Sequence, residues 1–371
     1  MGAYPIIEFN KFMFHALILA GGGGTRLWPV SREKTPKQVQ PFTDNETLLQ
    51  KTYHRIEKGF SPDNIIIAAG KQHYDLIKQQ LPEISAKQFS LEPMRRDTAA
   101  AIGLAALRIY KKDPEAVIVT INSDAYVKNE AEYLRILELA NQTVKKHQDH
   151  IVLVGINPTY PETGYGYIKM GKMFKELNGD KIFYVEKFVE KPDLETAKKY
   201  LSAWEYLWNP ALFVFNAGYF LSLYKKYLPE MYEQFAIIEK SLGTPAEEKT
   251  IEQEFEKIKA ISVDYGIIEK AENMLVIPAD FGWADIGHWR TVKDVLSENE
   301  IDNLVKGSHI GVETKGSLIY NFTDKLVATA GVENLIVVVT DDSILICSKN
   351  HAQGVKKIVE KLEGEGMEKY L

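Results

Sequence analysis

Through the first half of the chain, short continuous apolar runs alternate with stretches whose apolar residues recur every three or four positions. The runs at 17–20, 64–69, 116–121 and 151–156, with a shorter one marked by Phe89 and Leu91, have the form of strands buried on both faces. Between them, 47–58, 72–80, a stretch from about 98, and 131–144 carry helical stripes. Leu48, Leu49 and Ile56 line the first of these, Ile102, Leu104, Ala105 and Leu107 the third, and Leu134, Leu137 and Leu139 the fourth. Such alternation predicts an α/β fold with a mostly parallel sheet covered on both faces.

From residue 162 the texture changes. The pieces 164–171, 181–190 and 209–218 have the pattern of strands and turns lining a site, and helical blocks follow at 219–240 and 246–258. Past residue 301 come short β-like pieces separated by glycines, at 310–312, 317–320, 326–330, 335–339 and 344–347. An amphipathic helix closes the chain from about 353, with Val355, Ile358, Val359 and Leu362 on one side. The organisation expected is a large domain over 13–298 and a small β domain with its closing helix over 299–371. Met13 could itself be the natural start, with 1–12 an extension that has no role in the fold.

Bulk properties narrow the class. The chain has 371 residues, of which 45% are hydrophobic, 26% charged and 11% aromatic, enough apolar material for a sizeable core. A net charge of −6 argues against a nucleic-acid partner, so any affinity for phosphate must be a local pocket in an acidic body. Cys347 is the single cysteine, which rules out an intrachain disulfide and a four-cysteine metal site, and its apolar surroundings suit a buried strand thiol. No apolar run reaches the roughly 18 residues of a membrane span. The segment 12–20 is interrupted by His15 and has no small-residue cleavage site before the glycines, so it serves better as the first strand. No membrane partner and a cytoplasmic location are therefore expected.

The most informative stretch is LILAGGGGTRLWPVSREKTPKQ, residues 17–38. After the strand ending in Leu19 and Ala20, the glycines Gly21, Gly22, Gly23 and Gly24 project no side chain, so backbone N–H groups can face a crowded anion such as a polyphosphate. Arg26, Arg32, Lys34 and Lys37 follow. The dinucleotide motif G-x-G-x-x-G fails, since it would need glycine at Arg26 or Leu27, and no Gly-Lys-[Ser/Thr] of a P-loop occurs. The pattern G-x-G-T-R-L-x-P with a downstream P-K is instead met by Gly22, Gly24, Thr25, Arg26, Leu27, Pro29, Pro36 and Lys37. It resembles the sugar-1-phosphate nucleotidyltransferases, and Trp28, Ser31, Arg32 and Gln38 resemble the mannose-1-phosphate guanylyltransferases among them.

The resemblance covers nearly the whole chain from Phe14 to about Lys349. It implies a Rossmann-like (GT-A type) α/β nucleotidyltransferase domain over 13–298, with a mixed, mostly parallel sheet, and a short left-handed β-helix in the C-terminal domain. It also implies nucleotide contacts from Leu19, Ala20, Gly21–Gly24 and Thr25, with Arg26 and Lys37 as the catalytic cations. Asp124 follows the strand 116–121, where ligands of open α/β sheets bind. The family's Pro-Ala-Asp-His is here Asn122, Ser123, Asp124 and Ala125. The aspartate is carried over as a metal ligand, with Ser123 beside the nucleotide and no histidine role. Asp285, in Gly282-Trp283-Ala284-Asp285-Ile286-Gly287, matches the second carboxylate, and two aspartates with phosphate oxygens and water make a site suited to Mg²⁺.

For the sugar, Glu190 and Lys191 in Phe188-Val189-Glu190-Lys191-Pro192 resemble the family's hydroxyl acceptor and phosphate-binding lysine. Gly164, Tyr165 and Gly166 resemble the turn that faces the sugar ring. Asn209 resembles the asparagine of W-N-S-G, although this chain reads Trp208-Asn209-Pro210-Ala211 and lacks the glycine; Asp264 resembles the I-D-Y aspartate. Glu92, Arg96 and Thr98 resemble a base pocket, where a carboxylate would accept from the guanine N1–H and 2-amino group; Asp97-Thr98 also suits a helix N-cap.

The implied reaction takes GTP and mannose-1-phosphate to GDP-mannose and pyrophosphate, by in-line attack on the α-phosphorus. A phosphate with a second pKa of about 6 is already largely dianionic, so no general base is required. This agrees with eight histidines that show no paired ligand spacing. A homodimer is the expected assembly. The alternatives are a nucleotidyltransferase for another hexose-1-phosphate or base, such as a thymidylyl- or uridylyltransferase for glucose-1-phosphate or a guanylyltransferase for another sugar, and a non-catalytic sugar-nucleotide-binding regulatory subunit.

Overall fold

The computed structural model describes residues 14–43, 45–177 and 179–371; the suggested start at Met13 and the extension 1–12 lie outside them. Two compact units emerge. One gathers the chain up to Gly21, Thr52–Ser123 and Val127–Trp283, and the other gathers Gly22–Lys51, Asp124–Tyr126 and Ala284–Leu371.

The first unit is built on ten strands in one sheet. Their order is Met274–Ala279, Asp180–Val189, Gly166–Leu177, Tyr206–Asn209, Ile151–Ile156, Phe213–Asn216, Val117–Asn122, Phe14–Leu19, Ile65–Gly70 and Phe89–Glu92, with Met274–Ala279 also paired to Ile151–Ile156. The last four run parallel, and the registers Leu19↔Asn122, Leu19↔Ala68 and Gly70↔Glu92 bring their carboxyl ends to one edge. Ile151–Ile156 is buried along its whole length, as a strand covered on both faces must be. Helix Asp97–Lys112 covers one face with ten buried residues. Helix Glu130–Lys146 begins where the Asn129 side chain accepts from the Glu132 N–H at 3.1 Å, satisfying a donor that the helix leaves open.

The sheet is mixed, as the resemblance implies, and parallel around its first strand, as the alternation predicts. Several local features depart from the sequence pattern. The block 219–240 is two helices, Ala217–Tyr227 and Pro229–Ser241, because Pro229 has no N–H to continue the first and sits at the opening position of the second. Apolar Leu228 carries the stripe across the break and hides it from periodicity. Helix Leu194–Ala203 went unread although Asp193, which accepts from the Thr196 N–H at 2.8 Å, is an N-cap signal. Strand Met274–Ala279 and helix Trp289–Leu296 lie between the block 246–258 and the short β-like pieces past 301, a stretch in which the sequence pattern marks no element.

In the second unit, strands Leu304–Lys306, Leu318–Asn321 and Leu335–Val339 stack in parallel, and Ile344–Ser348 closes them antiparallel. His309–Val312 and Val327–Ala330 form a second parallel pair. The result is a β-helix-like coil, and alternation along each strand gives it two apolar faces. Ile319, Val337 and Val339 pack with Val327 and Leu335, whereas Leu318, Tyr320, Ile336 and Val338 pack with Leu27, Trp28, Phe42 and Trp289. The polar handles of this aromatic cluster are satisfied: Trp289 Nε1 donates to the Trp28 carbonyl at 2.9 Å, and the Tyr320 hydroxyl to the Phe42 carbonyl at 2.9 Å. Cys347 lies partly buried in Ile344–Ser348, and burial pushes its thiol up.

Gly103 sets how closely helix Asp97–Lys112 packs. A Cβ there would stand 2.2 Å from Phe235 Cε2, in a ring that is 1% exposed. Alanine in a helix gains about 1 kcal/mol over glycine, but overpacking costs about 1–3 kcal/mol. Gly103→Ala is therefore expected to lower the melting temperature in a calorimetric scan, and an unchanged or raised value would show that the Phe235 ring yields freely.

Candidate active site

The phosphate-type residues gather in the second unit. Gly24 has φ +61°, and a Cβ on it would meet Lys37 Cβ and Ser31 Oγ at 2.6 Å each, so neither the backbone nor the space admits a side chain. Ser31 Oγ donates to the Gly23 carbonyl at 3.1 Å, and the Leu27 N–H to the Gly24 carbonyl at 2.9 Å, which fixes the bend before the short turn Thr25–Leu27. Gly21 and Gly22 are exposed, and nothing lies within 4 Å of a Cβ built on Gly21. Thr25 is exposed as well.

Lys37 is the centre of this half. Its side chain is buried and its Nζ lies 2.6 Å from Asp124 Oδ2, 3.6 Å from Asp285 Oδ1 and 3.4 Å from the Ile286 carbonyl oxygen. Burial opposes the ammonium, yet Asp124 and then Asp285 outweigh it and hold its pKa above the ordinary lysine value. The two aspartates, distant in sequence, thus share one cation. Arg26 Nη1 donates to Gln353 Oε1 at 3.0 Å. A Cβ on Gly287 would stand 2.9 Å from Asp285 Oδ2 and 3.4 Å from Arg26 Nη2, so the glycine leaves room for both groups. Among the described residues no three Asp, Glu, His or Cys side chains form a metal-ligand cluster. The pair Asp124 and Asp285 supplies hard oxygen donors that fit Mg²⁺ when a polyphosphate completes the shell.

The other two cations of the loop differ. Arg32 forms a two-pronged bond to Asp342, Nη1 to Oδ2 at 2.8 Å and Nη2 to Oδ1 at 2.5 Å, and its Nε donates to the Pro29 carbonyl. The guanidinium holds the Asp342 carboxyl at about 2, below its ordinary value. Arg32 is thus a tether with its charge cancelled, and Lys34 is exposed.

The sugar-type residues lie together in the first unit. Asn209 Nδ2 donates to Asp264 Oδ1 at 3.1 Å, and Asn209 Oδ1 accepts from the Ala211 N–H at 2.9 Å. Ala211 has φ +56°, so the chain keeps a left-handed turn where the family pattern has glycine, at a cost of about 1–2 kcal/mol. Lys191, bonded to Glu190 Oε1, is also left-handed at φ +48°. Burial opposes the Lys191 ammonium, but Glu190 raises its pKa. Glu190 Oε2 is buried and has no hydrogen-bond partner among the described residues. It points at Gly166, where a Cβ would come within 2.5 Å. The Gly164 N–H donates to Glu162 Oε1 at 2.8 Å, and Tyr165 meets Trp208 and Trp283 edge-on, both at 5.4 Å between ring centres.

The base-pocket residues are only partly available. Glu92 ends its strand at the carboxyl edge, and burial, then Asp97, pushes its carboxyl up to about 7. Arg96 directs two donors to the carbonyls of Phe255 and Glu256, at the C-terminus of helix Glu247–Lys257. Thr98 Oγ1 accepts from the Val263 N–H at 2.9 Å, while Asp97 Oδ1 accepts from the Thr98 N–H at 2.7 Å. Ser123 donates both its N–H and its hydroxyl to the Leu19 carbonyl, locking two strand ends together. Sequence reasoning missed Gln353, Asp342 and Glu269, whose Oε1 accepts from the Glu190 N–H at 3.0 Å; no local pattern marks them. Gly287 stood unremarked within the quoted motif.

Asp264 offers a test. Burial, then Glu190, pushes its carboxyl up to about 7. A carboxyl raised on folding binds its proton more tightly in the native state, so stability falls as pH rises from the ordinary carboxylate range to about 7. Asp264→Asn removes that contribution, and its melting temperature should fall less than wild type between about pH 4 and pH 7. Parallel pH profiles would count against the buried carboxyl as the cause.

Comparison with known proteins identifies the family. Residues 15–300 match the Nucleotidyl transferase family, and residues 307–362 match the MannoseP isomerase/GMP-like beta-helix domain. Mannose-1-phosphate guanylyltransferase 2 of Escherichia coli O157:H7 is 34% identical over 364 residues, 96% of this chain and 75% of the relative. The alginate biosynthesis protein AlgA of Pseudomonas putida is 32% identical over 358 residues, 95% and 72% of the two chains. Among solved structures, mannose-1-phosphate geranyltransferase from Thermus thermophilus superposes with a TM-score of 0.85 at 32% identity, covering 95% of this chain and 99% of that one. The chain belongs to the nucleotidyl transferase family, among the relatives of the mannose-1-phosphate guanylyltransferases.

Proposed function

We propose that the protein transfers GMP from GTP to mannose-1-phosphate, giving GDP-mannose and pyrophosphate. The observation that carries this is Lys37 held between Asp124 and Asp285 behind a side-chain-free bend. A phosphoryl-transfer site of this kind needs little acid–base chemistry; it must align two mutually repelling anions and neutralise growing charge. The bare backbone of Gly21–Gly24 suits the triphosphate, and Arg26 and Lys37 stabilise the charge that builds as the bond to pyrophosphate breaks. Asp124 and Asp285 hold Mg²⁺, which when bound neutralises phosphate charge.

Glu190 Oε2 has a buried acceptor to offer, which suits a sugar hydroxyl, and Lys191 suits the sugar phosphate. Asn209 and Asp264 complete that wall with the 164–166 turn. Glu92 accepts from the guanine N1–H and 2-amino group; Thr98 and Ser123 support that pocket through the backbone, and Arg96 does so through helix Glu247–Lys257. Action in the cytoplasm as a homodimer goes with this function, and no helix among the described residues is long and apolar enough to cross a membrane.

Thymidylyl or uridylyl transfer to another hexose-1-phosphate is the nearest competitor, and a non-catalytic regulatory subunit the more distant one. Retention of Arg26, Lys37, Asp124 and Asp285 favours catalysis over the latter. Pyrophosphate release with Mg²⁺ should be fastest with GTP and mannose-1-phosphate in a panel of GTP, UTP, dTTP and ATP against mannose- and glucose-1-phosphate. Equal rates with all four nucleotides would defeat the guanine assignment. In the same assay Arg26→Ala or Lys37→Ala should each cost turnover by about 2–4 kcal/mol, and near wild-type turnover would mean that other cations do the work.

A further inference from the structure

We infer that Gln353 is a positioning residue for the catalytic arginine, selected for being polar and neutral. The two arginines of the loop, six positions apart, are both tied to the C-terminal part of the second unit, but in opposite ways. Arg32 meets the carboxylate of Asp342 through two parallel bonds, so its charge is neutralised. Arg26 meets the side-chain amide oxygen of Gln353 at 3.0 Å, which fixes the guanidinium and leaves its charge whole. A long side chain free to sample many rotamers would have to be ordered during the reaction; one held beforehand acts at no such cost.

The platform beneath Gln353 is rigid. It lies in the turn Lys349–Gly354, between Ala352, 2% exposed, and Val355, fully buried, both in the aromatic cluster of Trp28 and Trp289. Gly287 leaves just enough room beside Arg26 for Nη2, since a Cβ there would approach to 3.4 Å. The loop is fastened again where Trp28 Nε1 donates to the Tyr370 carbonyl at 2.8 Å. The C-terminal segment therefore serves the chemistry as well as the fold: one contact anchors the loop by charge, one by an indole, and the third aims a cation without neutralising it.

The inference rests on the role proposed for Arg26, and the test separates the two. Turnover of GTP and mannose-1-phosphate is measured with the full chain for Gln353→Ala, Gln353→Glu, Arg26→Ala and both double variants, each with its melting temperature. Gln353→Ala should lower kcat by about three- to tenfold, the worth of one hydrogen bond, with little change in KM or melting temperature. Gln353→Glu keeps the contact but cancels the charge, so it should lower kcat further. In the Arg26→Ala background neither substitution should matter. If Arg26→Ala loses turnover while the Gln353 variants keep it, or if Gln353→Ala costs as much without Arg26 as with it, the positioning role is wrong. If Arg26→Ala itself retains turnover, the proposed role of Arg26 fails and the inference falls with it.

Discussion

The site depends on one ammonium group shared by two carboxylates. Asp124 and Asp285 approach the same nitrogen, and without a cation two such acids would repel each other. Lys37 can be buried only because they neutralise it, and they can sit together only because it is there. Its stem also passes against the glycine bend: the 2.6 Å gap between a hypothetical Cβ on Gly24 and the real one on Lys37 leaves no slack. Glycine bend, cation and acids are therefore a single packed object, and loss of the lysine or of an acid leaves a charge without its partner.

The opposite holds for the sugar-type residues. Here the chain keeps strained and unsatisfied groups: left-handed Lys191 and Ala211, a carboxylate oxygen of Glu190 with no donor among the described residues, and an Asp264 carboxyl driven up by burial and by Glu190. Such features destabilise the fold locally and persist where the surrounding structure over-determines them. A ligand bearing hydroxyls and a phosphate would relieve several at once, which links the cost in stability to recognition.

Much of the fold was legible because its signals are local. Strand 151–156 is apolar throughout and is buried throughout, and similar runs in the strands Phe14–Leu19, Ile65–Gly70 and Val117–Asn122 make the parallel core legible. The break at Pro229 was not seen, since Leu228 extends the stripe that periodicity follows. The glycine bend with Arg26 and Lys37 could be read from contiguous residues. What could not be read was how each charge is partnered. Arg32 and Lys37 look alike in sequence, but one is cancelled by Asp342, 310 positions away, and the other sits between two acids. Likewise nothing near Ser123 or Arg96 says that the hydroxyl goes to Leu19 or the guanidinium to the end of a helix. At Ala211 the residue type pointed away from a left-handed turn, and the backbone adopts one nonetheless, held by Asn209.

The most direct test of the shared-cation site is calorimetric titration of GTP into wild type, Asp124→Asn and Asp285→Asn, each with and without Mg²⁺. Loss of either carboxylate should weaken Mg²⁺-dependent GTP binding by about tenfold or more, as loss of a group that holds or orients a metal does, and leave metal-free binding nearly unchanged. Wild-type Mg²⁺ dependence in both variants would contradict the account.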